Sequence, residues 1–130
     1  MSTEKNYLLG EAGEGLYQTD PEFAELFSRF AFEEVPNQND LDARTRMMAI
    51  LATLYGCQGT AAYEKMLPMA LDTGVTPVEV KEILYQAAAY LGIGRVYPFF
   101  AIANQVLKER GESLPLPAQG TTTPENRVEK

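Results

Sequence analysis

The run from Leu71 to Gly92 constrains the fold more than any other part of this chain. Its Thr-Pro-Val-Glu segment, which starts at Thr76, has the pattern of a capping box with proline at the first helical position. The Thr76 hydroxyl can accept a hydrogen bond from the Glu79 amide, and the Glu79 carboxylate can accept one from the Thr76 amide. Gly74, just before this segment, can end the preceding helix in a left-handed conformation. The run therefore predicts two consecutive helices joined by a tight turn.

The remaining segments also have helical patterns. Apolar residues recur at helical spacing behind an N-terminal Asp20-Pro21 start, and Gly111 is placed to end the last helix. We predict helices over about 21–34, 46–55, 60–73, 77–91 and 95–110, with a bend at Pro68 and an interruption at Pro98. Because no segment alternates with the period of two that a strand requires, the predicted fold class is all-α.

Composition limits the organisation of the chain and its partners. A length of 130 residues suits one domain, which we place at residues 1–111, followed by an extended tail rich in proline and threonine at 112–130. The net charge of −7 argues against binding to nucleic acid. A single cysteine, and no apolar run near the roughly 20 residues of a membrane span, lead us to expect a cytoplasmic protein without membrane contact.

The absence of histidine restricts the chemistry that is open to this chain. Histidine is the commonest acid–base group at neutral pH and the commonest transition-metal ligand. Catalytic triads with a histidine base are therefore excluded. A zinc site would have to be built from carboxylates and one thiol, which is an unfavourable ligand set, so we expect neither a metal nor a cofactor.

The turn at Gly74, together with the earlier Thr45-Arg46 pair, resembles the carboxymuconolactone decarboxylase and alkyl hydroperoxidase D family. That family carries a similar Gly-Val-Thr-x-x-Glu-Ile/Val turn after a helix that begins near a Thr-Arg pair. The resemblance covers Leu41 to Gly111. It implies an all-α, alkyl hydroperoxidase D-like helical bundle that assembles into homotrimers or hexamers. The largely apolar last helix, with more hydrophobic surface than one small core can hide, also favours an oligomer.

The resemblance also assigns positions to the catalytic relay of the peroxidase members. Those proteins carry a Cys-x-x-Cys pair at the start of the helix that ends at the diagnostic glycine, a histidine four residues later, and a glutamate twelve residues before the first cysteine. Counted back from Gly74, the cysteine positions are Gly59 and Ala62, the histidine position is Met66 and the glutamate position is Met47. Since one thiol cannot cycle through an intramolecular disulfide, we predict that thiol peroxidase chemistry by this route is absent.

Three residues remain as catalytic candidates, each with a structural alternative. Arg46 could bind a carboxylate in a cavity or form a salt bridge with Asp42 or with an acid of a neighbouring chain. Cys57 could be a thiolate stabilised by a helix N-terminus or a small residue in a tight turn. Tyr63 could donate a proton or line an aromatic-ligand pocket, or it could pack at a core edge or an interface. The same alternatives apply to four further tyrosines, at positions 55, 85, 90 and 97.

Three classes of function follow. The first is an enzyme acting on a small acidic lactone or a peroxide through a rearranged site around Arg46, Cys57 and Tyr63. The second is a non-catalytic subunit that binds a small apolar or aromatic acid or a partner chain, and the third is a structural oligomer. The tail resembles the connector that joins a first repeat to a histidine-bearing second repeat in longer family members, so a partner chain could supply that repeat. We favour a family member whose own catalysis is lost or altered.

Overall fold

Helices make up the regular structure of residues 8–10, 13–38 and 40–122, which are the residues described by the computed structural model. The main helices are α1 (Gly15–Thr19), α2 (Pro21–Arg29), α3 (Ala43–Gly56), α4 (Thr60–Thr73), α5 (Pro77–Leu91) and α6 (Ile93–Glu109). A π-helical turn at Phe30–Glu34 continues α2, and a 3-10 turn follows at Pro36–Gln38. These residues contain no strand, so the all-α prediction is confirmed. None of their helices is long and apolar enough to cross a membrane.

The turn between α4 and α5 has the predicted geometry. Gly74 has a φ of +112°, a value that a residue with a Cβ rarely adopts. Its amide donates to the Leu71 carbonyl, and the Val75 amide donates to the Ala70 carbonyl, each at 3.1 Å, which is the Schellman pattern. Both halves of the capping box form at Thr76. Because Ala70 and Val75 are fully or almost fully buried, the turn is anchored in the core.

The core lies between α3, α4, α5 and α6. Helix α3 packs against α4 and α5, and α6 packs against both of those helices. Each of the four contributes fully buried side chains to one cluster. Its large members are Met47, Leu51, Tyr55, Tyr63, Met66, Leu67, Val80, Leu84, Val96 and Phe99. A smaller cluster of Leu9, Ala24 and Phe32 lies under α2 and the π-helical turn.

The last helix differs from the sequence prediction in two respects. It begins at Ile93 rather than Arg95, because the Gly92 carbonyl accepts hydrogen bonds from the amides at 95 and 96. Pro98 therefore lies in the second turn, and the helix continues through it. Helix α4 likewise continues through Pro68. The apolar side of α6 is also better covered than expected, since Phe99 is fully buried in the core.

Helix α2 carries the largest exposed apolar surface of the described N-terminal segment. Phe23, Leu26 and Phe30 recur at helical spacing, as the sequence indicated, but they are 54%, 56% and 59% exposed. Phe27 is partly buried, stacked on Phe23 and edge-on to Phe32. The apolar side of α2 is thus covered only in part by its own chain.

The segment after α6 lies back against the helical bundle. Gly111 ends α6 with a φ of +92°, and the Glu112 amide donates to the Leu107 carbonyl at 3.0 Å. Gln119 Nε2 then donates to the carbonyl of Val78, in the first turn of α5, at 3.2 Å. Residues 112–122 therefore cover part of α5 and α6, whereas residues 123–130 of the predicted tail lie outside the described residues.

Candidate functional site

Hydrocarbon fills the positions where the peroxidase relatives carry their relay. Met47, at the glutamate position, and Met66, at the histidine position, are 2% and 4% exposed and belong to the same core cluster. The two cysteine positions are Gly59, which precedes the first turn of α4, and Ala62, which is partly buried in it. The four positions offer no side chain that can carry a proton, a thiolate or a charge.

Tyr63, three residues before Met66 on α4, lies in the core and is fully buried. Its hydroxyl forms a hydrogen bond with the hydroxyl of Tyr55 at 2.8 Å. The two rings and that of Phe99 form a trio in which each pair of centroids is 5.0 Å apart, and Phe99 meets both tyrosines nearly edge-on. Each hydroxyl is the hydrogen-bond partner of the other inside an apolar cluster. Tyr63 therefore stabilises the core rather than lining an open site.

The environment of the tyrosine pair makes both phenols poor acids. Burial raises the pKa of Tyr55 to about 12, although the hydrogen bond from Tyr63 acts in the opposite direction. Burial also raises the pKa of Tyr63, and the neighbouring Tyr55 raises it further. Both hydroxyls therefore keep their protons at neutral pH, as core groups do when water is excluded.

Arg46 binds backbone carbonyls rather than a carboxylate. Its Nη2 donates to the carbonyl oxygens of Pro36 at 3.1 Å and Leu41 at 2.9 Å. Of the alternatives for Arg46, the ion pair with Asp42 does not form; the Asp42 carboxylate instead caps α3 by accepting from the Thr45 amide at 2.7 Å. This hydrogen bond from the Thr45 amide lowers the pKa of Asp42. Arg46 thus holds the segment before α3 against the helix.

Cys57 is an exposed residue at the C-terminal cap of α3. Its Sγ lies 3.8 Å from the Leu54 carbonyl oxygen. The backbone of Gly59 lies close to this sulfur, because a Cβ added at Gly59 would be only 3.3 Å from Cys57 Sγ. The tight turn between α3 and α4 is therefore the environment of the one thiol.

The three catalytic candidates do not converge. Arg46 lies in the first turns of α3, and Cys57 follows the last residue of the same helix. Eleven residues separate them, which corresponds to roughly 16 Å along a helix axis. Tyr63 is enclosed in the core. A site that combines all three is not formed within one chain.

Arg44 makes a contact between helices that the sequence analysis did not predict. Its Nε donates to the Gly74 carbonyl at 3.1 Å, and its Nη2 forms an ion pair with the Glu79 carboxylate, which links α3 to the turn before α5. Burial acts to raise the pKa of Glu79, but the Thr76 amide and the Arg44 guanidinium outweigh it and lower that pKa. Arg44 thus stabilises the same turn that identifies the family resemblance.

Besides a cavity of about 520 Å³ between α4 and α6, which is lined by charged residues of both signs, two cavities on the described surface are large enough for a small molecule. The first, of about 570 Å³, is a groove between α3 and α5 whose charged lining residues are Glu79 and Glu82. The second, of about 450 Å³, lies between α5, α6 and residues 114–119, and we call it the tail cavity. Its polar lining residues are Lys81, Tyr85, Asn104 and Gln119. Nothing in the sequence analysis singled out Lys81 or Asn104.

Comparisons with known proteins agree on one family. The profile of the carboxymuconolactone decarboxylase family matches residues 21–105 of the chain. A 4-carboxymuconolactone decarboxylase from Acinetobacter baylyi (strain ATCC 33305 / BD413 / ADP1) is 28% identical over 98 residues, which cover 75% of this chain and 73% of the relative. No solved structure matches the chain significantly.

Proposed function

Because the chain belongs to the carboxymuconolactone decarboxylase family, we propose that it binds a small carboxylic acid and does not use the family's thiol and imidazole relay. The observation that carries the second part is the burial of Met47 and Met66 in hydrocarbon at the relay positions. The first part is supported by the similarity to a 4-carboxymuconolactone decarboxylase, whose name describes a carboxylated lactone as its substrate.

Electron balance supports the absence of thiol peroxidase turnover. Reduction of a hydroperoxide oxidises a thiolate to a sulfenic acid, and a second thiol must then form the disulfide that is reduced again. The chain has one cysteine, so the second thiol would have to come from another molecule. In the described part of the chain, the polar contact of Cys57 Sγ is with the Leu54 carbonyl oxygen, which cannot act as a proton relay.

The proposal predicts binding of an organic acid without peroxide turnover. We expect 4-carboxymuconolactone to bind saturably in isothermal titration calorimetry. We also expect peroxide consumption with a dithiol reductant to be the same for the wild type and for Cys57→Ser. Turnover that is lost in Cys57→Ser would contradict the second part, and failure to bind both the lactone and a simple aromatic acid such as benzoate would contradict the first.

A lyase with a rearranged site is the alternative function, and the name of the Acinetobacter relative favours it. The same preparation distinguishes the two, because decarboxylation releases carbon dioxide and binding alone does not. Release of carbon dioxide above the uncatalysed rate, reproduced after removal of trace contaminants, would establish the lyase function in place of simple binding.

We also propose that the protein is a homo-oligomer. The support is the exposed apolar side of α2, formed by Phe23, Leu26 and Phe30, since contiguous exposed apolar residues commonly mark an interface. Sedimentation equilibrium at micromolar concentration should give a multiple of the 14.4 kDa chain mass. The double variant Phe23→Glu/Phe30→Glu should shift the distribution toward the monomer. A monomeric wild type under these conditions would contradict the proposal.

A further inference from the structure

The tail cavity has the dimensions of a small-molecule site. Its volume of about 450 Å³ lies within the range of about 300–1,000 Å³ that is typical of ligand pockets. One wall comes from Lys81 and Tyr85 on α5, another from Asn104 on α6, and the third from residues 114–119. The cavity is therefore formed jointly by the helical bundle and by the segment that follows it.

Lys81 is the charged residue that lines this cavity, and its partners are neutral. The ammonium donates to Asn104 Oδ1 at 2.6 Å and lies 5.8 Å from the centre of the Phe100 ring. It takes part in no ion pair in the described part of the chain. Burial lowers the pKa of Lys81 because the ammonium loses part of its hydration. An ammonium has three donors, so at least one remains to bind an anion.

The other lining residues favour an apolar ring. Tyr85 stacks on Phe100 with 6.1 Å between ring centres and an interplanar angle of 21°. The segment after α6 adds Leu114, Pro115 and Pro117. A flat aromatic wall and an aliphatic wall beside one cation suit a ring that carries one carboxylate.

The other cavities are less suited to an anion. Both charged residues in the groove between α3 and α5 are glutamates. A third cavity, between α4 and α6, is lined by Glu64 and Glu109 as well as by Lys65 and Arg110. A carboxylate would meet acidic side chains in either place, which lowers its affinity. The tail cavity differs from both, because its lining residues include the unpaired ammonium of Lys81 and no carboxylate. This favours an anion here even though the net charge of the chain is −7.

We propose that the tail cavity binds a small aromatic or cyclic monocarboxylate, with the carboxylate on Lys81 and the ring between Tyr85 and the prolines at 115 and 117. This inference rests on the proposed function, for which it supplies the site and the ligand class.

The segment after α6 is held on α5 by one side chain whose hydrogen bonds are incomplete. Gln119 Nε2 donates to the Val78 carbonyl, but the Oε1 atom of the same side chain is buried without a hydrogen-bond partner. A ligand that bridges α5 and this segment therefore holds the segment in place.

Benzoate and its uncharged analogue benzamide test the inference by calorimetry on the full chain. Benzoate should bind the wild type, and benzamide should bind at least about tenfold more weakly, because a charge-assisted hydrogen bond is lost. Lys81→Met should weaken benzoate binding by a similar factor, whereas Lys81→Arg should stay within about threefold. Lys65→Met, in the cavity between α4 and α6, is the matched control and should leave the affinity unchanged.

Hydrogen exchange provides a readout that needs no substitution. Exchange of the amides at 112–122 should slow when benzoate is added and should not slow with benzamide at the same concentration. This measurement decides the question if Lys81→Met fails to fold. Equal affinity of Lys81→Met and the wild type, or unchanged exchange at 112–122, overturns the site. If benzoate does not bind but 4-carboxymuconolactone does, this inference fails while the proposed function stands; if neither binds, both fail.

Discussion

Raising the pH from 9 to 12 is expected to lower the free energy of unfolding by roughly 2 to 5 kcal/mol through the buried pair Tyr55 and Tyr63. The folded pKa of Tyr55 is about 12, against an ordinary value of 10.0, and that of Tyr63 is also raised. The folded protein therefore retains protons that the unfolded chain releases. The stabilisation is fully present below pH 10 and declines as the pH rises through the folded values. Urea denaturation at half-unit steps from pH 8 to pH 12 measures it.

The double variant Tyr55→Phe/Tyr63→Phe isolates this effect from that of every other titrating group. It removes both hydroxyls, so its stability at pH 8 should be within about 1 kcal/mol of the wild type, and its decline above pH 10 should be shallower by the stated amount. Tyr97→Phe is the matched surface control, because Tyr97 is 69% exposed, and it should keep the wild-type profile. Parallel profiles for the wild type and the double variant would show that the pair is in contact with water.

The local part of the fold could be predicted because its causes lie within a few residues of each other. The turn at Gly74 needs a glycine with positive φ, a threonine hydroxyl and a glutamate three residues later, and all of these are visible in the sequence. The same holds for Gly111, which ends α6 as expected. Such capping contacts do not depend on how the helices pack.

Contacts between distant residues could not be predicted in this way. Arg44 and Glu79 are 35 positions apart, and Lys81 and Asn104 are 23 apart, so each pair forms only when separate helices pack. The family spacing directed attention to Arg46, two residues beyond the arginine that pairs with Glu79. No local rule distinguishes these two arginines before the crossing of α3 and α5 is known.

The relay positions illustrate the opposite case, in which a count along the chain located two distant residues that share one interior. Met47 is on α3 and Met66 is on α4, yet both side chains lie in the same core cluster. They are 2% and 4% exposed, and the flexible thioether of methionine suits such gap-filling positions in a core. The positions that the resemblance assigns to the relay thus belong to the core of this chain.

Replacing Met66 with the imidazole that peroxidase relatives carry tests this overlap directly. Met66→His should lower the free energy of unfolding by about 3 kcal/mol at pH 7, because a buried flexible thioether is lost and a polar ring enters an apolar cluster. Burial disfavours the charged imidazole and lowers its pKa, so below about pH 6.5 the unfolded chain binds more protons than the folded chain. The destabilisation should therefore grow as the pH falls from 7 to 5, which urea denaturation at each pH would show.

Two matched variants separate the effect of polarity from that of position. Met66→Leu keeps the site apolar at similar volume and should cost less than about 1.5 kcal/mol, with little dependence on pH over this range. Lys65→His places the same ring at the exposed neighbouring position and should change the stability by no more than about 0.5 kcal/mol. If Met66→His were as stable as Met66→Leu at both pH values, water or polar groups would have to reach the relay position. The space would then be open to acid–base chemistry, and the proposal that this chain has lost the family relay to core packing would be wrong.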